Sequence, residues 1–469
     1  MDSAAQAHSE RAYNPITDGV IWKQLLVFFF PILLGTFFQQ LYNTADAVIV
    51  GQFVGKQALA AVGGVTGTLI NVIVNLFVGV ASGTTVVVAQ QYGAQNFAGV
   101  RRTVHTSLAM ALVGGAGLMA LGLVFARAAL VAMGTPSDVL EHASVYLRVY
   151  FIGTIPSFIY NVGAGVLRAV GDTKRPLYFL AAACSLNIVL DLVFVVGMNM
   201  GVLGAALGTI MSQLLSAVLT MMALMRTTRV YRVILSEIRF SAHALRAVLA
   251  VGIPAGLQSN MYAISNIIIQ TGINSFGTDT AAAWTAFGKI DGFFWMISGA
   301  YGIAITTFAG QNFGAGLMGR VRKSVRVCSA MTVGTSIAVS ALVCAFAAPL
   351  LGIFTSDAAV LDIGLTMIYH MSPFYCTFVL VEILSGAIRG CGDALRPMLI
   401  TGSGICLLRV IWLLVLLPLR HELTTILYSY PISWALTSAL FLVYYRRGHW
   451  MRPQSALQQA AAREQSDAG

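Results

Sequence analysis

The sequence predicts an all-α integral membrane protein with 12 transmembrane helices, arranged as two six-helix bundles that repeat one another in parallel. Three observations predict it. Mean hydropathy is +0.79, and 57% of residues are hydrophobic while 10% are charged; a soluble protein carries about 25% charge. The 469 residues accommodate about 12 or 13 spans at roughly 35 residues per span with its loop. Finally, the chain copies itself. Gln90, Gly93-Ala94, Val100-Arg101 and Val104 return 221 positions later as Gln311, Gly314-Ala315, Val321-Arg322 and Val325. The same offset carries Gly165, Arg168, Gly171-Asp172 and Arg175-Pro176 onto Gly386, Arg389, Gly392-Asp393 and Arg396-Pro397. One constant spacing over so long a stretch marks an internal duplication. An even number of spans per copy lets both copies enter the membrane from the same side, related by an axis along its normal.

Taken in order, residues 1–19 are polar and read as a disordered arm, without the pattern of a cleaved signal peptide. The first bundle covers 20–226, with apolar runs at 20–49, 58–88, 103–133, 139–160, 175–197 and 202–226. A basic, amphipathic linker, 227–244, is expected on the inner membrane surface, joining the halves. The second bundle covers 245–446, with runs at 245–273, 281–309, 324–354, 359–387, 397–418 and 424–446. Residues 447–469 read as a disordered tail.

Most of the 28 Lys and Arg lie on one side if the N-terminus is cytoplasmic, and the opposite loops hold only Lys56, Arg127 and Arg420. Positive loops stay inside, so both termini are expected in the cytoplasm. The net charge of +10 is spread over these loops and does not point to nucleic acid. The six Cys form no CxxC pair, so neither a disulfide framework nor a zinc site is expected.

The first span holds the chemistry. Within FPILLGTFFQQLYNTADAVIVG, Asp46 lies deep in an apolar run. An acid there costs about 3 kcal/mol on insertion, and an ionisable group within a span is a functional-site hypothesis. Gln39, Asn43 and Asp46 are spaced 4 and 3 apart and share one helical face. In the fifth span Asn187 and Asp191, four apart, do the same. The second half does not copy these acids: Asp46 corresponds to Ile269 and Asp191 to Trp412. Its main acid is Glu382, which shares a face with Ser385 and Arg389 and so also reads as an ion-pair partner. Asp291 and Lys289, two apart in the eighth span, cannot face each other. Asp291 reads as lining the substrate path or as part of an interfacial aromatic belt. Arg148 and Arg409 also fall within spans, with no periodic explanation.

These motifs resemble the multidrug and toxic compound extrusion (MATE) family. The resemblance rests on the first-span stretch with its Leu-Tyr-Asn-x-x-Asp, on GDTKRP with GDALRP, and on the two Gly-Ala turns. It covers about residues 20 to 446. It implies a V-shaped pair of bundles, alternating access, and export of cationic or amphiphilic compounds against an inward ion gradient. Asp191 with Asn187 resembles the family's second acid of the first half. Thr209, Tyr146 and Gln39 match positions around these acids in its DinF-like branch. The NorM-like branch carries a Glu in the seventh span; here that region reads Gln258-Ser259-Asn260-Met261-Tyr262, without an acid.

The resulting expectation is a secondary antiporter of the cell membrane, the inner membrane in a Gram-negative source. Asp46, Asn187, Asp191 and Thr209 form its ion-coupling site. Gln39, Asn43, Tyr146, Asp291 and Glu382 line the cavity. Two neighbouring carboxylates in an apolar cavity hold a proton readily; the same oxygen-rich cage also suits sodium. No cofactor is expected. The partners are small molecules and the bilayer, and the chain is expected to act as a monomer. A lipid-linked precursor flippase of the wider fold would need a cationic cavity rather than an acidic one. An intramembrane enzyme lacks a motif, since HExxH and GxSxG are missing and His105 and His370 have no evident partner.

Overall fold

The computed structural model describes residues 14–55, 58, 61–62, 65–448 and 450–451. Among them every regular element is helical. Eleven helices are long and apolar enough to span a membrane, or up to 12 if a bent pair is one span. In chain order the spans are Ile21–Phe53, Val65–Gly93, Phe97–Ala132, the pair Ser137–Ile152 and Thr154–Ala169, Lys174–Gly197, and Gly201–Arg226. The second six are Ala242–Asn274, Thr278–Gly314, Met318–Ala345, Ala358–Gly390, Leu395–Leu419 and Leu423–Arg447.

The fourth span is the bent pair, turning by 48°. Pro156 lacks an N–H and its ring crowds the carbonyl four residues back, at Ile152, where the first helix ends. The Thr154 hydroxyl sits 2.7 Å from the Phe151 carbonyl oxygen and 3.1 Å from that of Gly115, covering groups exposed by the break. The helix then runs to Ala169, well past the expected end at 160, because Val162, Val166 and Leu167 are buried against the third span. The tenth span breaks similarly at Ser372–Phe374, around Pro373.

Both ends of the chain are tighter than expected. Residues 15–18 form a helical turn capped by Asn14. Ile16 is buried against the second half. Arg320 donates to the carbonyls of Ile16, at 3.0 Å, and Gly19. The expected arm 1–19 is thus corrected for 14–19, since an apolar anchor and claimed carbonyls hold them; residues 1–13 lie outside the described residues. At the other end Trp450 is buried and stacks on Tyr445, with centroids 5.0 Å apart. The tail expectation is corrected there too; 452–469 lie outside the described residues.

The linker is an extended strap with one 3-10 turn, Leu235–Glu237, before the helix of the seventh span begins at Ala242. Tyr231 and Val233 are buried in the first half, and Arg101 pairs with Glu237. His105 gains partners here: its Nδ1 lies 2.7 Å from the Arg101 carbonyl oxygen, and Nε2 accepts from the Ile234 N–H at 3.1 Å.

The duplication becomes a reciprocal contact where the halves meet. Gln90 Nε2 donates to the Gly390 carbonyl of the second half at 2.8 Å, and Gln311 Nε2 donates to the Ala169 carbonyl of the first at 2.6 Å. Gly93 lies against the Gln311 carbonyl and Gly314 against that of Gln90, so a side chain at either position would collide with backbone. Gly79 and Gly83 similarly abut Gly252, Gly256 and Val248 of the seventh span. The side-chain hydrogen bonds between the two bundles all lie at the end with the basic loops, among the described residues. The bundles are tied together at that end.

Candidate ion-coupling site

The site grows from two helices of the first half. The apolar first span buries Asp46 to 4% exposure, and the fifth buries Asn187 and Asp191 completely. Thr209 comes from the sixth span and donates to Asp46 Oδ2 at 3.1 Å. The side chains of Asn187, Asp191 and Thr209 each lie within interaction range of Asp46. Asp46 Oδ1, both Asp191 oxygens and both polar atoms of Asn187 have no hydrogen-bond partner among the described residues. No cation neutralises the pair: among the described residues no Lys, Arg or His forms an ion pair with either acid. A buried charge without a partner is among the costliest arrangements in a protein. Such an arrangement can accept positive charge, as a proton or a small cation.

Two local devices aim Asp191. The fifth span is α-helical up to this residue and widens into a π-helix at Leu192–Gly197, a distortion often found at functional sites. Gly208 of the sixth span then leaves room for the carboxylate, since a Cβ there would strike Asp191 Oδ1. The equivalent places in the second half are closed. Ile269 is buried in apolar core, and Trp412 Nε1 donates to the Thr425 carbonyl at 2.8 Å.

Tyr146 is buried beside the acids, in interaction range of Asp46 and Tyr150. Gln39 and Asn43 are exposed, on the same helical face as Asp46, two turns and one turn toward the basic end of the first span. Tyr42, not singled out in the sequence, is the first-span neighbour of Asp46 and Thr209, its hydroxyl buried and unpaired. Its signal was the i, i+4 spacing to Asp46, in competition with the i, i+3 spacing of Asn43. Gly208 carried no signal without the fold.

The remaining acids belong to the second half. Asp291, expected either to line the substrate path or to join an aromatic belt, has both oxygens occupied: Trp295 Nε1 and Tyr375 Oη each donate at 2.6 Å. It belongs to an aromatic cluster in which Phe294 stacks on Tyr375 with centroids 4.0 Å apart. Arg409 sits in the same cluster, buried, donating to Ser433 Oγ at 2.9 Å, with its guanidinium 3.9 Å over the Tyr430 ring. Glu382 rests against Gly302 and shares its surroundings with Tyr262 and Arg389. The two form no ion pair within 4 Å among the described residues, so the expected Glu382–Arg389 pair is not made. Lys289 and Arg148 are exposed.

A bundle of about 12 spans with a buried, unpaired carboxylate pair defines a membrane transporter of the ion-coupled kind. The MatE family model matches residues 31–193 and again 254–415, so the chain belongs to the MatE family, and the double match falls on the two halves. It is 27% identical over 450 residues to a probable multidrug resistance protein YpnP of Bacillus subtilis (strain 168), covering 94% of this chain and 98% of that one. It is also 27% identical over 393 residues to a probable multidrug resistance protein NorM of Thermotoga maritima, covering 81% and 82%. In fold it is similar to a multidrug resistance MATE family transporter of the MOP superfamily, solved outward-facing, with a TM-score of 0.88, 22% identity, and coverage of 94% and 99%.

Proposed function

We propose that the chain is a secondary antiporter that exports cationic or amphiphilic small molecules by alternating access, with Asp46 and Asp191 carrying the coupling ion. The observation behind this reading is the carboxylate pair, buried and without a base. A proton entering from the open end of the V neutralises the pair and weakens its hold on a cationic substrate, which leaves outward. Loss of the proton on the other side restores the charge and the affinity. Thr209 holds the Asp46 carboxylate in place, and Asn187, Tyr42 and Tyr146 surround the pair. Gln39 and Asn43, exposed on the same helical face as Asp46, line the route, and Glu382 shapes which compounds fit. Relatives named for multidrug resistance support the substrate class.

Sodium is the second reading, and one feature favours it. The orphaned oxygens of Asp46, Asn187 and Asp191, with the Thr209 hydroxyl, form a donor set suited to a hard cation. Transport of a fluorescent cationic dye in proteoliposomes, under a pH gradient and then a sodium gradient, tests both. Dye movement driven by the pH gradient alone supports the proton. Movement driven by sodium alone supports the second reading, and movement indifferent to both gradients overturns antiport.

In this reading both termini lie in the cytoplasm, at the inner membrane in a Gram-negative source, which the distribution of basic loops supports. A Ser455→Cys variant should resist an impermeant thiol reagent in intact cells, relative to the native cysteines alone. Labelling from outside would reverse the orientation.

A further inference from the structure

The repeat supplies its own control for a feature outside the transport site. Near the basic ends of the fifth and sixth spans, Arg175, Phe179, Leu219, Met222, Ala223, Arg226 and Thr227 line a cleft of about 330 Å³. Two guanidinium groups meet an apolar wall there. Asp172 holds Arg175 at 3.3 Å, while Arg226 has no acid partner among the described residues. Above the cleft, the exposed Leu214, Val218 and Met222 follow each other at four-residue spacing on the outer face of the sixth span, an apolar track aligned with the bilayer chains.

The same offset carries Arg175 to Arg396, Arg226 to Arg447 and Asp172 to Asp393. It carries Ala223 to Tyr444, and there the space is filled. Tyr444 donates to Asp393 Oδ2 at 2.7 Å, Arg396 reaches the same oxygen at 2.9 Å, and the Arg396 guanidinium lies 6.0 Å from the Tyr444 ring centroid. The first half keeps the arginines but loses the plug.

We propose that this cleft, open because Ala223 replaces the tyrosine of the other half, binds the anionic headgroup of a phospholipid between Arg175 and Arg226, with an acyl chain along Leu214, Val218 and Met222. Charge complementarity fixes the occupant. A zwitterionic headgroup gains little from two guanidinium groups, and a free anion gains nothing from the apolar track. Basic pockets between spans at the cytoplasmic surface suit anionic lipids on general grounds. The inference is independent of which ion is transported.

Native mass spectrometry of the delipidated full chain in neutral detergent is the test. It is titrated with phosphatidylglycerol, with phosphatidylcholine of equal chain length, and with inorganic phosphate. Phosphatidylglycerol should bind at least about fivefold more tightly than either, the factor that about 1 kcal/mol per basic residue supplies. Arg226→Gln should weaken it by about fivefold, and Ala223→Tyr, which keeps both arginines, should remove it. Arg447→Gln, the matching change in the plugged half, should leave it unaltered. Equal phosphatidylcholine binding, equal phosphate binding, full binding by Ala223→Tyr, or equal losses in Arg226→Gln and Arg447→Gln would each overturn the proposal.

Discussion

The two halves share an architecture and meet their buried aspartates in opposite ways. In the first half Asp46 and Asp191 meet without a base, and their oxygens lack partners. In the second half Asp291 accepts two hydrogen bonds, and Arg409 is covered by Tyr430 and tied to Ser433. The difference teaches where the chain can respond. A satisfied network rigidifies a core, whereas an unsatisfied one is a place where a proton or ion changes the energy. Duplication provided two bundles, and the pair of neighbouring buried aspartates without a base lies in the first of them.

The largest way to sharpen this contrast is Asp46→Asn. It removes the charge that a coupling ion neutralises while keeping the shape, so ion-driven efflux should fall by about 100-fold or more, with normal membrane abundance. Efflux at the native rate would reduce Asp46 to a structural group. Gly208→Ala comes next. Its added methyl displaces the Asp191 carboxylate, and a misplacement of about 1 Å is able to cost on the order of 100-fold; a loss of about tenfold or more is expected. If transport survives unchanged, the position of Asp191 does not matter.

Asp291→Asn should act on the other axis. Trp295 and Tyr375 both donate to this side chain, and an amide offers one acceptor where the carboxylate offers two. Thermal unfolding in detergent should reveal a loss of about 2 kcal/mol with coupling intact. Uncoupling without destabilisation would erase the distinction between the halves. The smallest effects belong to the reciprocal latch. Gln90→Ala and Gln311→Ala each remove one cross-bundle hydrogen bond of about 1 kcal/mol. Each should shift the closed basic end toward opening by about fivefold, read by spin-label distances across that end. A shift in only one variant would break the symmetry of the contact.

Much of this was legible in the sequence because the membrane makes the physics strict. Apolar runs delimited the spans, the offset between Gln90 and Gln311 exposed the repeat, and a carboxylate in a hydrophobic run marked Asp46. Thr209 and Tyr146 were reached only through family resemblance, as no spacing links them to Asp46. What stayed hidden depended on packing between distant segments. Gly208 matters through the carboxylate of Asp191, and nothing local shows that Tyr375, 84 positions away, donates to Asp291. Ile16 is a lone apolar residue in a polar stretch, and nothing local reveals that Arg320 and the second half receive it.

The claim that coupling resides in the first half alone is tested most directly by comparing Asp191→Asn with Glu382→Gln. The measurement is gradient-driven dye transport in proteoliposomes, corrected for protein content. The account predicts that Asp191→Asn loses coupling, and that adding Asp46→Asn makes it little worse, because groups acting as a unit are not additive. Glu382→Gln should keep its coupling and change mainly which dyes are carried. Loss of coupling in Glu382→Gln with full coupling in Asp191→Asn would place the site in the second half and contradict the account.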